Sequence, residues 1–327
     1  MKIAVIEKEH IVVKNVDKIT LGDRKGAIVK VLGCGLCGSD IVKFREHISK
    51  EGTVLGHEIV AEIVEINSDT KFKTGEKIVT SHHIPCGTCD YCRHGNVSMC
   101  KHFKSTNIRP GGFSEYVYLS EEHLQNVAHP MPENLSEIEA SFYEPLGCCV
   151  RAVKRAKLMD GSKVLVVGLG SIGILMSQAL KAYGMNVMGC DLIQDRIERL
   201  QNLGIDAVDS RDLEQAEEFD AVFMTSGADK AIDVALKTIK SGGTILVFSS
   251  TPHNTGYPNN EIYYRELTVL GSYSPAPVDL KDSLELLRTG KVNVKDLSTV
   301  YSLDDIQKAF DDTIANKIMK AYIKIKD

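Results

Sequence analysis

Apolar runs alternate with helical patterns along residues 163–273 of this chain. The run at 164–167 is too short to span a membrane and is followed by glycine, which favours a buried strand. A helical pattern continues to about Tyr183, and a second strand is predicted at 186–190, ending at Asp191. Further strands are predicted at 220–224, 244–248 and 267–273, and helices at 195–203 and 231–239, with 241–243 ending the last helix. This alternation predicts a parallel sheet with helices on both faces.

Residues 1 to about 80 show short runs of alternating polarity, a pattern typical of strands with one exposed face. These runs lie at 2–6, 27–32, 59–66 and 77–80. A helical stretch is predicted at 136–157. The tail predicts helices at 280–288 and 303–314, then a strand at 320–325. The fold class is therefore predicted to be α/β, with a doubly wound parallel sheet and a separate β-rich domain.

The turn after the first buried strand carries three glycines, in the order Gly168-Leu-Gly170-Ser171-Ile172-Gly173. In dinucleotide-binding folds the first glycine permits the tight turn, the second allows the backbone to approach a pyrophosphate, and the third lets helix and strand pack closely. The pyrophosphate would lie on free N–H groups at the helix N-terminus, which includes Ser171 and Ile172. Asp191 ends the next strand, where a carboxylate accepts from a ribose hydroxyl. The context predicts a dinucleotide site.

Composition sets limits on these predictions. A chain of 327 residues exceeds the usual size of one hydrophobic core, so about two domains are expected. The net charge of −5 gives no reason to expect nucleic acid or an anionic membrane as a partner. The N-terminus lacks the apolar core of a signal peptide. Nine cysteines in a chain without an export signal favour metal ligation over disulfides, and we expect a cytoplasmic protein.

Four of the cysteines fall within one polar stretch, at Cys86, Cys89, Cys92 and Cys100. Four thiolates at this spacing can close a tetrahedron around Zn²⁺, and a closed shell leaves no position for substrate, so the predicted role is structural. A zinc ribbon that binds nucleic acid is the alternative, and it would need basic and aromatic neighbours. Arg93, Lys101 and Lys104 are present, but the rest of the acidic chain gives them no support.

A second candidate metal site is more dispersed. Cys37 precedes Ser39 and Asp40, and His57-Glu58 follows later in the chain. A catalytic zinc needs three protein ligands and an open fourth position. Cys37 and His57 are suitable ligand types, although spacing alone does not establish the site.

Six motifs in a fixed order resemble those of the zinc-dependent medium-chain dehydrogenases, in the branch of sorbitol and threonine dehydrogenases. The resemblance covers essentially the whole chain, and its motifs are Cys37–Asp40, Gly56–Glu58, the four-cysteine lobe at 86–100, Gly111–Tyr116, Tyr143–Leu146 and the glycines of 168–173. It implies a GroES-like catalytic domain at 1–146, a Rossmann domain at 147–274, and a return to the catalytic domain at 275–327.

The resemblance also implies a catalytic zinc on Cys37, His57 and Glu144, with Glu58 beside the metal or exchanging as a ligand. Cys148 and Cys149 lie near Glu144, but the Glu-Pro-Leu motif favours the glutamate. The implied reaction passes a hydride from an alcohol to a nicotinamide, with zinc as Lewis acid. Ser39 matches the hydroxyl that takes up the alcohol proton, and a helix N-cap is its alternative role.

The chain departs from these relatives in two places. Many relatives have a histidine five residues after the ligand cysteine, where this chain has Val42, so the proton route stays open. Sorbitol dehydrogenases have an Arg-Tyr pair after the last Rossmann strand, and this chain has no arginine at 271–275. The expected substrate is therefore a polyol, sugar or other secondary alcohol. The alternatives are an amino-alcohol dehydrogenase of the threonine type and a non-catalytic dinucleotide-binding zinc protein.

Cofactor choice depends on Asp191, which would accept from both ribose hydroxyls and repel a 2′-phosphate. NAD is therefore expected over NADP, with Arg196 as the residue that argues for some NADP use. The predicted partners are a small-molecule alcohol or polyol and further copies of this chain. A homo-oligomer would pair the edge strand near 267–273 as a dimer, or form a tetramer.

Overall fold

The structure is a computed structural model of the full chain, described for residues 1–213, 218–251 and 256–325. It divides into two compact units. The first comprises Met1–Pro145, Ala276–Arg288 and Val294–Asp327, and the second comprises Leu146–Pro275 and Thr289–Asn293. The short return of the tail to the second unit is held by Gln178, whose side chain donates to Asn293 O at 2.9 Å and accepts from Asn293 N at 2.7 Å.

The described strands, in chain order, are β1 Lys2–Glu7, β2 His10–Asn15, β3 Gly26–Gly35, β4 Glu58–Asn67, β5 Lys77–Thr80, β6 Tyr116–Ser120, β7 Ala128–Pro130, β8 Lys163–Val167, β9 Asn186–Asp191, β10 Asp206–Asp209, β11 Phe219–Met224, β12 Ile239–Val247, β13 Thr268–Gly271, β14 Ser298–Ser302 and β15 Lys320–Lys324.

The described α-helices are α1 Gly38–Arg45, α2 Asp90–Arg93, α3 Lys101–Ser105, α4 Glu121–Asn126, α5 Glu137–Ala140, α6 Tyr143–Ala156, α7 Ser171–Ala182, α8 Gln194–Asn202, α9 Lys230–Thr238, α10 Asn259–Tyr264, α11 Pro277–Arg288 and α12 Ile306–Ile314. Two 3-10 helices cover Val97–Met99 and Leu303–Asp305.

The second unit contains a sheet whose described strands run in the order β10-β9-β8-β11-β12-β13. All neighbouring pairs are parallel. Relative to chain order this is 3-2-1-4-5-6, the doubly wound arrangement of Rossmann folds. The predicted fold class is confirmed for this unit.

The hydrophobic content of β8 explains its central position. Val164, Leu165 and Val166 are fully buried, because both faces of a parallel sheet are covered by helices. The adjoining core includes Val222 and Ile245 from the neighbouring strands. The sheet therefore holds the carboxyl end of β8, where the glycine turn begins, in a rigid position.

The first unit is built on a mainly antiparallel sheet in the order β14-β15-β3-β4-β5-β7, with β6 pairing on β3. Strand β3 pairs with β4 along its whole length on one side. On the other side it pairs with β6 over its first half and with β15 at its end, so the tail returns directly to this sheet. Among the candidate metal donors, Cys37 follows the end of β3, His57 and Glu58 lie at the start of β4, His82 follows the end of β5, and Glu144 lies on α6.

The sequence-based elements are wrong at two places. Ser241, Gly242 and Gly243 were expected to end a helix, but they lie inside β12, which begins at Ile239 with a register shift against β11. The predicted helix at 136–157 divides into α5 and α6. Strands β2, β6, β7, β10 and β14 were not predicted, because short edge strands carry little periodic signal.

None of the helices in the described residues has both the length and the hydrophobicity that a bilayer span requires.

Candidate metal centre and cofactor site

Cys37 lies at the turn between β3 and α1 and is the N-cap of that helix. Its Sγ accepts from Ser39 N at 3.5 Å and from Ser39 Oγ at 3.3 Å, while Asp40 Oδ2 accepts from Cys37 N at 3.3 Å. This reciprocal capping fixes the sulfur at the start of the helix. Ser39 therefore does not have the N-cap role that was its alternative, and its hydroxyl lies beside the sulfur.

Asp40 orients His57 within the first unit. Nδ1 of His57 lies 3.5 Å from Oδ1 of Asp40, and both side chains are buried. Burial opposes protonation of His57, but the negative charges of Asp40 and Cys37 outweigh it and raise the pKa of the imidazole well above its ordinary value. A carboxylate on one ring nitrogen leaves the other nitrogen as the metal donor, an arrangement common around metal-bound histidines.

Glu58 is paired with a lysine from the end of the chain. Nζ of Lys320 lies 2.5 Å from Oε2 of Glu58, and the two side chains are 4% and 1% exposed. Burial lowers the pKa of Lys320, but the charge of Glu58 outweighs this and raises it. Oε1 of Glu58 is buried and has no hydrogen-bond partner among the described residues. One carboxylate oxygen is thus neutralised and the other is left for a different cation.

Glu144 lies in the first turn of α6, which is fixed by its neighbour Tyr143. The phenol of Tyr143 donates to Val127 O at 2.8 Å and lies 2.8 Å from His129 Nδ1. Glu144 itself is 4% exposed. A carboxylate buried this deeply requires a cation or strong hydrogen bonds nearby.

Two groups of three donors overlap at His57. The donor atoms of Cys37, His57 and Glu58 lie within 4.8 Å of one another, and so do those of His57, His82 and Glu144. The sequence-based ligands Cys37 and Glu144 thus fall in different groups, linked by the shared histidine. His82 was not identified from the sequence, because it precedes the four-cysteine lobe and belongs to none of the recognised motifs.

The donors suit zinc. Thiolate, imidazole and carboxylate are the ligand types that Zn²⁺ takes in proteins. Glu58 Oε1 and His82 Nδ1 are buried without a partner among the described residues, as expected of atoms that require a cation. The pKa of His82 lies well below its ordinary value, because of burial and then the charge of His57, so its ring is neutral and can donate to a metal.

The four-cysteine lobe forms a second candidate metal site. The sulfurs of Cys86, Cys89, Cys92 and Cys100 lie within 4.8 Å of one another. Sulfur separations are 3.6 Å for Cys89–Cys92 and 4.0 Å for Cys86–Cys92. A zinc tetrahedron with Zn–S distances of about 2.3 Å places its sulfurs about 3.8 Å apart, so the lobe is already close to that geometry. Backbone hydrogen bonds from Thr88 and Cys89 lower the pKa of Cys86 to about 5, which favours the thiolate.

The three glycines of the turn in the second unit have different surroundings. Gly168 has φ +93°, a conformation that favours glycine. A Cβ at Gly173 would overlap the carbonyl oxygen of Gly168, so only glycine allows α7 to approach β8. A Cβ at Gly170 would meet nothing within 4 Å. Ser171 and Ile172 begin α7 with their N–H groups free of partners within the helix.

Asp191 lies at the end of β9 and contacts this turn. Its Oδ2 accepts from Leu169 N at 2.6 Å and lies 3.5 Å from Arg196 Nη1, while Oδ1 accepts from Leu192 N at 2.7 Å. The aspartate therefore holds the glycine turn and the following loop together. Arg196 lies close enough to reach a group bound at the same place.

Comparison with known proteins identifies the family. Residues 23–132 match the alcohol dehydrogenase GroES-like domain, and residues 171–289 match the zinc-binding dehydrogenase family. The chain is 32% identical to the sorbitol dehydrogenase of Halalkalibacterium halodurans over 86% of each chain. It is 30% identical to D-xylulose reductase A of Aspergillus oryzae, over 93% of this chain and 90% of the relative.

This chain belongs to the zinc-binding medium-chain alcohol dehydrogenases. Its fold is also that of acetophenone reductase from Geotrichum candidum in complex with NAD, with a TM-score of 0.87, 24% identity, and coverage of 99% and 97% of the two chains. The predicted family, fold class and dehydrogenase activity are confirmed. As a medium-chain dehydrogenase the protein uses zinc and a nicotinamide cofactor and acts on a small-molecule alcohol.

Proposed function

We propose that this dehydrogenase oxidises a polyol, a sugar or a related secondary alcohol with NAD, using one catalytic and one structural zinc per chain. The observation that carries the proposal is the pair of donor groups sharing His57, in which Glu58 Oε1 and His82 Nδ1 are buried without a hydrogen-bond partner in the described part of the chain. The two relatives compared above act on polyols or their ketoses by name, which supports a polyol more than the amino alcohol threonine.

The catalytic zinc would be held by Cys37, His57 and Glu144, with Glu58 beside it. Bound there, it would act as a Lewis acid that lowers the pKa of an alcohol hydroxyl. Asp40 holds the ring of His57, and the capping of α1 holds Cys37. Lys320 neutralises one oxygen of Glu58 and thereby limits the net negative charge around the metal. The protein groups thus set the position and charge of the donors.

Ser39 is proposed as the group that takes the proton from the alcohol. Its hydroxyl lies 3.3 Å from Cys37 Sγ, next to a proposed zinc ligand, and the residue is exposed. Since Val42 stands where many relatives have a relay histidine, the proton is proposed to leave Ser39 directly to solvent. This route requires only an exposed hydroxyl, which the structure provides.

The second unit is proposed to bind NAD, and the first to carry catalysis. A nicotinamide supplies the hydride acceptor. Gly168, Gly170 and Gly173 would admit the pyrophosphate to the N–H groups of Ser171 and Ile172 at the start of α7. Asp191 would accept from the adenosine ribose and disfavour a 2′-phosphate, although its ion pair with Arg196 weakens that repulsion.

The lobe of Cys86, Cys89, Cys92 and Cys100 is proposed to hold the structural zinc. A homo-oligomer is also proposed, because β13 is the edge of the six-stranded sheet among the described residues, and Val269 on it is 39% exposed. An open strand edge with apolar side chains favours pairing with a second copy. Sedimentation of the purified protein would report the oligomeric state.

A substrate screen tests the proposed function. The zinc-loaded protein is incubated with NAD or NADP and with polyols, sugars, sugar phosphates, threonine or simple secondary alcohols, and formation of reduced cofactor is followed. We expect the highest kcat/KM with a polyol or sugar and NAD. Turnover of threonine alone, or of no alcohol in the set, would contradict the proposal.

A further inference from the structure

His82 lies at the metal centre without a role in the motifs of the chain. It follows β5 by two residues and is 9% exposed. Its ring stacks between those of His57 and His83, with centroid distances of 4.4 Å and 3.9 Å. The side chain is therefore packed directly against a proposed zinc ligand.

The backbone that carries His82 is held from two sides. Nε2 of His123 lies 3.1 Å from His82 O, and Nδ1 of His123 lies 2.8 Å from Ser120 Oγ. On the other side, Nδ1 of His83 lies 2.5 Å from Thr106 O. The contact from His123 holds the carbonyl of His82 directly, so the backbone of His82 is held in place without the ring of His83, as a preorganised ligand requires.

Nδ1 of His57 lies near Asp40 and Nδ1 of His83 near Thr106 O. Nδ1 of His82, in contrast, is fully buried and has no hydrogen-bond partner among the described residues. A buried polar atom without a partner is unfavourable, so the site favours a ligand that the ring can bind. His82 also offers a donor atom within 4.8 Å of those of His57 and Glu144.

We propose that His82 is a direct ligand of the catalytic metal, so that the metal is bound by two imidazoles, from His57 and His82. This inference rests on the proposed catalytic zinc and adds a fourth protein ligand to Cys37, His57 and Glu144. The alcohol would then bind as a fifth ligand, a coordination number that catalytic zinc can reach in the transition state. It accounts for a buried ring nitrogen without a partner among the described residues and for the presence of His57 in both donor groups. A histidine that served only to pack against the neighbouring rings would not need a ring nitrogen within 4.8 Å of the donor atoms of His57 and Glu144.

Cobalt substitution in the intact protein tests the proposal. Co²⁺ replaces zinc at the catalytic site while the four-cysteine lobe keeps its zinc. The variant His82→Phe retains a ring for stacking and removes the donor, and His83→Phe is the matched control in the same stack. We expect His82→Phe to weaken cobalt affinity, measured by chelator competition, by at least about tenfold. Its visible ligand-field spectrum should also change, while His83→Phe leaves both properties within about twofold.

Equal affinities and equal spectra for the two variants would overturn the proposal. X-ray absorption at the cobalt edge of the wild-type protein provides a second measurement that does not depend on a variant folding. Two imidazole ligands on the cobalt are expected. A single imidazole ligand would refute the role of His82 but would not contradict the proposed function. Failure of the wild-type protein to bind any metal outside the four-cysteine lobe would instead overturn both proposals.

Discussion

At the scale of single residues, the metal centre is organised by buried charges whose partners come from distant parts of the sequence. Cys37, His57 and Glu58 are recognisable from the sequence as donor types. Asp40 was part of a recognised motif, but its contact with His57 was not predictable from spacing. Lys320 and His82 were missed, because neither the tail strand nor the stretch before the cysteine lobe indicates which buried group it meets.

The ion pair of Lys320 and Glu58 predicts a large effect of a single substitution. Lys320→Met leaves a buried carboxylate without its cation, and breaking a buried pair in this way costs about 3–5 kcal/mol. We expect the free energy of unfolding, measured in denaturant on the metal-loaded protein, to fall by that order. Adding Glu58→Gln should recover much of the loss. Lys324→Met, an exposed change on the same strand, is the control, and equal losses in the two lysine variants would contradict the interpretation.

The carboxylate of Asp191 is expected to set the preference for NAD over NADP. Asp191→Ala removes the proposed acceptor for the ribose hydroxyls, and a hydrogen bond to a charged group is worth about 1.5–3 kcal/mol. The KM for NAD should therefore rise about 10- to 100-fold. The ratio of kcat/KM with NAD to kcat/KM with NADP should fall. Steady-state kinetics with both cofactors measures this, and Asp191→Asn separates the charge from the side-chain shape. Unchanged kinetics with both cofactors would remove the assignment.

At the scale of elements, the strand–turn–helix unit at 163–182 was predicted almost completely. Periodicity located β8, α7 and β9, and the glycine spacing located the turn, because this unit depends on local sequence. The four-cysteine lobe is another local unit, and its close sulfurs follow from spacing. The error at 241–243 has the opposite cause, since glycines in a strand are tolerated only when neighbouring strands impose the conformation.

Alanine substitutions at two glycines of this turn are expected to affect different properties, one stability and the other NAD affinity. Gly173→Ala places a methyl group against the carbonyl of Gly168 and should lower the thermal unfolding midpoint of the cofactor-free protein. Gly170→Ala places its methyl group in open space, so the midpoint should stay near wild type while NAD affinity falls about tenfold or more. Calorimetry and NAD titration measure both quantities. A stable Gly173→Ala variant with normal NAD affinity would contradict the assigned packing.

Removal of one cysteine from the four-cysteine lobe is expected to lower both the zinc content and the stability of the protein. Cys89→Ser removes one of four thiolates from the proposed tetrahedron, so zinc content should fall by about one ion per chain and the unfolding temperature should drop. Cys148→Ser is the matched control, because this half-buried cysteine belongs to none of the three donor groups found among the described residues. A Cys89→Ser protein with unchanged zinc content would exclude the lobe as a metal site.

At the scale of the whole molecule, the fold class followed from the sequence because long periodic segments and ordered motifs agree with each other. The parallel order of the six-stranded sheet and the β-rich first unit were expected from that agreement. The inclusion of residues 289–293 in the second unit was not expected, because it depends on a long-range contact between Gln178 and Asn293. Substrate identity is equally non-local, since no motif in the chain specifies it.

The central claim is that a metal held by the donors around His57 is required for alcohol oxidation and is distinct from the metal of the cysteine lobe. The most direct test is to measure zinc content and NAD-dependent turnover on the same sample during graded chelation. The account predicts two zinc ions per chain at the start. Loss of the more weakly held ion should abolish turnover, and added zinc should restore it. A protein that contains only the zinc of the cysteine lobe and still oxidises alcohols at full rate would contradict the account.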